Sequence, residues 1–445
     1  MQVDLTRGGI TRPMLAFAAP MIAGNLLQQC YNIADTLIVG RALGPAALAS
    51  VGFAFTLMTF LTSVLLGLCM GSGALWSLLY GAGREEELKR CLFASFVFIG
   101  AVAVALNIGV LALLEPVMSL LQTPAGAWEQ THAYLRVVLL GICFTFVYNY
   151  LACLLRSVGN SAAPLAFLGV STAVNIALDL WFVLGFHWGV AGAAGATVIA
   201  QGVSAVGIAW YSWRRVPLLQ LERRHCTLRR GELGRIVHYS LLTCVQQSVM
   251  NFGILMVQGL VNSFGVNVMA AFAAAVKIDA FAYLPVQDFG NAFSTFVAQN
   301  TGAERPERVR RGLRAAAVTS LAFSLAASLL VCLFAAPLMT IFVSPEETEI
   351  IAIGVQYLRI EGACYCGIGI LFLFYGLFRG IGRPGVSVVL TAVSLGTRVA
   401  LAYLLSPIPA VGLLGIWWAV PIGWGLVDLA GLGFWLRRRR AAPAP

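Results

Sequence analysis

The sequence predicts an all-α polytopic membrane protein of about twelve transmembrane helices, arranged as two parallel six-helix repeats around a central cavity. Three observations predict it: the excess of apolar residues, the placement of the basic ones, and an internal repeat. Of 445 residues, 59% are hydrophobic and 11% charged, with a mean hydropathy of +0.85. So few charges cannot cover that much nonpolar surface in water. Apolar stretches of about 20 residues or more recur from end to end, each long enough to cross a hydrocarbon core about 30 Å thick. They are continuously apolar, without the ten-residue alternation of a membrane barrel, so they read as helices.

The spans are expected at 13–37, 46–79, 91–114, 131–154, 164–184, 192–213, 238–264, 270–299, 313–335, 350–378, 386–405 and 411–436. No stretch remains for a soluble domain. The first span begins near Pro13, outruns a signal-peptide core and is followed by Arg41 and another span, so it is expected to stay in the mature protein. Most of the ten cysteines, among them Cys143, Cys153, Cys332, Cys364 and Cys366, fall inside spans, where they act as small apolar side chains. Neither a disulfide framework nor a metal site is expected. His132, His187, His225 and His238 lie in or beside connections, and no two share metal-ligand spacing.

The net charge of +10 is explained by orientation. With odd-numbered connections outside, 24 of the 29 basic residues fall on cytoplasmic segments, seven of them between Arg214 and Arg235. Outer loops are acidic or neutral, as at Glu346, Glu347 and Glu349. This bias places both termini in the cytoplasm of a bacterial inner-membrane protein and argues against nucleic-acid binding by the Arg-rich connection.

A shift of 221 residues aligns Gly81-Ala82 with Gly302-Ala303, and Arg84, Glu86 and Arg90 with Arg305, Glu307 and Arg311. A shift of 223 pairs Tyr134-Leu135-Arg136 with Tyr357-Leu358-Arg359, and Arg156 and Gly159 with Arg379 and Gly382. A shift of 220 pairs Gly192 and Gly195 with Gly412 and Gly415. The expected organisation is an N-terminal lobe at 1–213, a cytoplasmic linker at 214–237 and a C-terminal lobe at 238–445. With an even number of spans per half, both halves enter from the same side, a recurring transporter plan with substrate held near the midplane. A duplicated scaffold without transport is the alternative.

Intramembrane polar residues favour transport. In the first span Asn25, Gln28, Asn32 and Asp35 follow spacings of 3, 4 and 3 and share one face, with Pro20 one to two turns earlier as a bend. In the fifth span Asn175 and Asp179 project from one side. A carboxylate near the bilayer centre costs roughly 2.5–3.5 kcal/mol, which a proton or bound cation removes. Converging acids would make a coupling site; acids that only cap helix ends or bond neighbouring spans would not. Under the repeat Asp35 falls opposite Met256, Val257 or Gln258, and Asp179 opposite Ala402, so coupling is assigned chiefly to the N-terminal half. The seventh span carries the uncharged stripe Gln247, Asn251, Gln258 and Asn262. Lys277 and Asp279 do not share a helix face and are expected to find partners on other spans, while Asp288 and Glu361 rank as secondary substrate or proton sites.

Pro20, Gln28, Tyr31, Ala34-Asp35-Thr36, Gly40 and Gly44, then Asn175-x-x-x-Asp179, Gly192 and Thr197, resemble the N-lobe motif of the multidrug and toxic compound extrusion (MATE) transporters, prokaryotic DinF-like branch, over essentially the whole chain. The resemblance implies antiport of proton or sodium against small, cationic or amphipathic organic compounds, by a monomer in contact with membrane lipids and without a cofactor. It implies a cation site at Asp35, Asn175, Asp179 and Thr197, and a cavity lined by Gln28, Tyr31 and Asn149. The polar residues Asn32, Gln247, Asn251, Asp288 and Glu361 complete the expected cavity set. Gln246 and Gln247 stand where the NorM-like pattern has an acid. A lipid-linked sugar flippase of the same superfamily is the competing transporter reading; a membrane-embedded enzyme lacks any nucleophile motif or phosphate loop.

Overall fold

A computed structural model of the chain describes residues 3–43, 45–120 and 128–441; Gly44 of the sequence motif lies outside the described residues. Apolar runs become helices because lipid offers no partner for an open backbone N–H or C=O, and the helix satisfies both internally. In the first half these are α1 (Thr11–Leu43), α2 (Pro45–Gly81), α3 (Glu85–Ala112), the short α4 (Leu114–Leu120), α5 (Trp128–Leu139), α6 (Ile142–Ser157), α7 (Ala162–Asp179) and α8 (Gly189–Arg215). The second half runs α9 (Arg230–Asn262), α10 (Val266–Gly302), α11 (Pro306–Leu333), the short α12 (Ala335–Met339), α13 (Thr348–Ala363), α14 (Tyr365–Gly380), α15 (Pro384–Leu405) and α16 (Leu413–Ala441).

Among the described residues nine helices are long and apolar enough to span a membrane, and two bent pairs raise this to eleven. The 33-residue α1 is not among these, and it fills the remaining place in the twelve-helix layout. The fourth span of each half is broken: α5 meets α6 at 47°, and α13 meets α14 at 52°. Continuous apolarity hides such breaks, because a bend changes backbone direction without changing hydropathy. Past Asp179, α7 continues as a π-helical turn, Leu180–Gly185, in which the Phe186 N–H reaches back five residues to the Trp181 carbonyl.

The repeat is written into the backbone. Positive φ recurs at Gly83 and Glu304 (67° and 54°), Gly159 and Gly382 (87° and 82°), and Gly189 and Gly412 (61° and 48°). The last pair corrects the register of the sixth span from 220 to 223, so that Gly192 matches Gly415. A Cβ on Gly192 would meet Phe182 and Trp188, and one on Gly415 would meet Leu405 and Val411, each pair again 223 apart.

By internal contacts the chain forms two units, Met1–Asp4 with Ala19–Cys244, and Leu5–Ala18 with Val245–Pro445. In the first, the core gathers around Trp76 and Tyr150, whose rings meet edge-on at 4.9 Å, and the Tyr150 hydroxyl donates to the Leu92 carbonyl at 2.6 Å. In the second, α10 and α14 lie close enough that Arg379 donates to Asn291 at 2.7 Å and to Ser294 at 3.2 Å.

Polar ends are tied down separately in each unit. In the first, the connection after α8 and the first turns of α9 dock on the start of α3: Arg90 pairs with Glu232 at 2.6 Å, Arg235 with Glu87, and His225 Nε2 with Glu86 at 2.8 Å. His225 Nδ1 accepts the Glu222 N–H at 3.0 Å, so the ring proton sits on Nε2 and is donated to Glu86. In the second, Arg308 donates to the carbonyls of Leu5, Arg7, Gly8 and Gly9. The His225 hydrogen bond holds the Glu86 carboxyl below its ordinary range; burial opposes this, and Arg224 adds attraction. A depressed folded-state value means that the contact is present above the usual carboxylate range and is lost only as pH falls through the depressed value. Glu86→Gln, which removes that charge, should speed hydrogen exchange at residues 222–227 several-fold at pH 7.

Candidate functional site

Within the first unit, α1, α5, α7 and α8 bring six side chains together. Helical spacing sets Asp35 one turn beyond Tyr31 on α1 and Asp179 one turn beyond Asn175 on α7, so each helix presents an acid and a neutral polar group on one face. The two carboxyl groups are in hydrogen-bonding contact. Asn175 donates to Asp179 Oδ2 at 2.8 Å and accepts the Thr197 backbone N–H at 3.1 Å. The Thr197 hydroxyl lies 3.3 Å from the same amide and donates to the Ala193 carbonyl at 3.1 Å. Tyr31 from α1 and Tyr134 from α5 both reach that hydroxyl. Asp179 is 0% exposed and Asn175 2%. Oδ1 of each acid is buried without a hydrogen-bond partner among the described residues.

This arrangement has a definite chemistry. Two carboxylates about 4 Å apart repel by about 4 kcal/mol at an effective dielectric near 20. Their contact therefore needs a proton shared between them, or a metal cation between their oxygens. The surrounding groups are neutral amide, hydroxyl and phenol, so none of these described residues supplies a fixed positive charge to do that work.

A second buried acid pair forms inside the other unit. Asp279 on α10 contacts Glu361 on α13. The Tyr357 hydroxyl donates to Glu361 at 2.8 Å and to Asp279 at 3.4 Å, and the Tyr365 hydroxyl donates to Asp279. Phe272 and Trp417 wall off Tyr357, at ring distances of 5.3 and 4.9 Å. Glu361 is 2% exposed. Repeat matching finds no acid opposite Asp35 or Asp179; this pair arises from two other helices. Asp279 and Tyr365 escaped sequence reading as site residues, and the available signal was the charge of Asp279 deep in a span. Lys277 is exposed, with its Nζ 5.8 Å from the Phe342 ring, which lies in the turn after α12 and on no other span.

The remaining expected residues are distributed between the units. Pro20 lies inside α1, which runs as one helix from Thr11 to Leu43. Gln28 is exposed on α1, Asn32 is half-buried, and Asn149 is half-buried on α6 with its amide turned back to the Thr145 carbonyl at 2.8 Å. In the second unit Gln247 and Asn251 are half-buried on α9, and Asp288 is 5% exposed on α10.

The MatE family model matches the chain twice, over residues 20–181 and 242–404, once per half. The chain is 26% identical over 392 residues to the probable multidrug resistance protein YpnP of Bacillus subtilis, covering 88% of this chain and 87% of that one. It is 33% identical over 190 residues to DNA damage-inducible protein F of Escherichia coli, covering 41% and 40%. Its fold matches a solved multidrug resistance MATE transporter of the MOP superfamily in its outward-facing conformation, with a TM-score of 0.92, 24% identity and coverage of 98% and 97%. The chain therefore belongs to the MatE family, the multidrug and toxic compound extrusion transporters, and is a polytopic membrane transporter and not an enzyme.

Proposed function

We propose that this protein is a cation-coupled antiporter that exports small organic compounds, cationic or amphipathic in character, across a bacterial inner membrane with both termini in the cytoplasm. The observation that supports coupling is the Asp35–Asp179 contact, framed by Asn175, Thr197, Tyr31 and Tyr134 with no fixed cation among them. Loading that pair from one side and emptying it to the other links ion flow to a change of access, provided the cation binds the two access states with different affinity. Pro20 is the moving part in this reading. It removes one hydrogen bond from α1, and it stands beside Ala19, where the contacts of α1 pass from one unit's set to the other's.

Purified protein in liposomes decides the coupling ion. Substrate efflux under a proton gradient alone, and then under a sodium gradient alone, should be driven by one of them, and transport indifferent to both would defeat the antiport reading. Orientation follows from the basic-residue bias, and cysteine labelling in a background stripped of native cysteines tests it. An impermeant probe should reach Glu347→Cys in intact cells but not Arg223→Cys or Arg438→Cys; labelling of either of the latter would reverse the assignment.

A further inference from the structure

We propose that the arginine-rich end of α8 is a binding site for the headgroup of an anionic phospholipid, in the leaflet which that end of the helix meets. Helical spacing places Ile199, Val203, Val206, Trp210 and Trp213 on one face of α8, at steps of 4, 3, 4 and 3. All five are exposed, Trp210 by 64% and Trp213 by 76%. An exposed, wholly apolar face on a membrane span is solvated by acyl chains, and tryptophan marks the level where chains give way to headgroups. Arg214 and Arg215 follow at once, both exposed.

Trp210, Tyr211, Arg214 and Arg215 line a cavity of about 380 Å³, inside the ~300–1,000 Å³ range of small-ligand sites. That volume takes a headgroup and leaves the acyl chains to the apolar face of α8. The Arg214 guanidinium carbon lies 5.6 Å from the centroid of the Trp210 ring, over its face. Stacking orients the guanidinium and occupies a ring face that could otherwise hold the ammonium of a zwitterionic lipid. Tyr211 is anchored by Phe167, at a ring distance of 5.8 Å, and by the Asn160 amide, which donates to its hydroxyl at 3.1 Å. No acidic side chain is among the described residues of the lining, so nothing there offsets two adjacent guanidiniums, whose planar N–H forks match phosphate oxygens.

The internal repeat separates this site from simple orientation. At the shift of 223, Arg214 and Arg215 are matched by Arg437 and Arg438 on α16. Trp210 and Trp213 are matched by Gly433 and Leu436, and Trp435 of α16 falls opposite the buried Ser212. Membrane orientation accounts for arginines at both helix ends. It does not account for aromatic walls at one of them.

The test uses the full chain purified in detergent, with phosphatidylglycerol and phosphatidylcholine of the same acyl chains as probes and native mass spectrometry counting the lipids retained. The native chain should retain phosphatidylglycerol in preference to phosphatidylcholine. Arg214→Gln combined with Arg215→Gln should weaken that retention roughly 20-fold, at about 5-fold for each arginine near a membrane surface. Trp210→Leu, which keeps both charges, should weaken it several-fold. Arg437→Gln combined with Arg438→Gln removes equal charge from the matched helix end and should change it by less than about twofold. Trp210, Arg214 and Arg215 are exposed, so their variants keep the fold. Equal retention of the two lipids by the native chain, or equal losses in the α8 and α16 double variants, overturns the proposal and leaves the arginines as diffuse surface charge. Displacement of the retained lipid by an equimolar glutamate-rich peptide also overturns it, in favour of a protein partner.

Discussion

Asp35→Asn and Asp179→Asn should each abolish gradient-driven export while leaving expression, folding and some substrate binding intact. An amide of the same shape keeps the packing of α1 against α7 but removes the charge that makes cation occupancy favourable. Because Asp179 is fully buried and its Oδ1 has no hydrogen-bond partner among the described residues, no nearby group takes over its role. A coupling free energy of typical size corresponds to roughly a 5–150-fold loss of ion-driven stimulation. Glu361→Gln should cost much less, since Glu361 pairs with Tyr357 and Asp279 and takes no part in the Asp35–Asp179 contact. Efflux from cells and ion-stimulated transport in liposomes, at matched protein levels, provide the comparison. Native coupling in both aspartate variants, with loss confined to Glu361→Gln, would move the ion site to the other half.

Gly376→Ala should destabilise the second unit by about 3 kcal/mol, the upper part of the usual range for overpacking. A Cβ at Gly376 would stand 2.3 Å from the Gly290 carbonyl oxygen, and one at Gly380 2.7 Å from that of Ser294. These are backbone atoms of α10, which cannot rotate aside, so α14 would have to move as a whole. The pair follows the small-xxx-small pattern by which membrane helices approach closely, where packing substitutes for the hydrophobic effect that lipid does not supply. Gly425→Ala provides the control. Nothing lies within 4 Å of its would-be Cβ, so the loss of backbone freedom in the unfolded chain should leave that protein unchanged or slightly more stable. Thermal unfolding in detergent, with the fraction of monodisperse protein, measures both.

The number and placement of the spans were legible because hydropathy over about 20 residues is a local property that lipid reads directly. The face shared by Asn175 and Asp179 was legible for a similar reason: helical period alone decides which residues point together. The duplication was legible as matched motifs, and its register in the sixth span became definite only when Gly189 and Gly412 showed the same left-handed backbone. What tertiary structure alone decided was which faces meet. Asp35 and Asp179 are 144 positions apart, and Asp279 and Glu361 are 82 apart; their contacts depend on how closely whole helices approach, at places such as Gly376 against α10. The bends at α5–α6 and α13–α14 belong to the same class, since a broken helix in an apolar run exchanges backbone partners without altering a single side chain's hydropathy. Sequence by itself thus determined what lies in the membrane and which residues share a helix face, because those depend on neighbours along the chain. The packed structure determined which acids become partners, because that depends on neighbours in space.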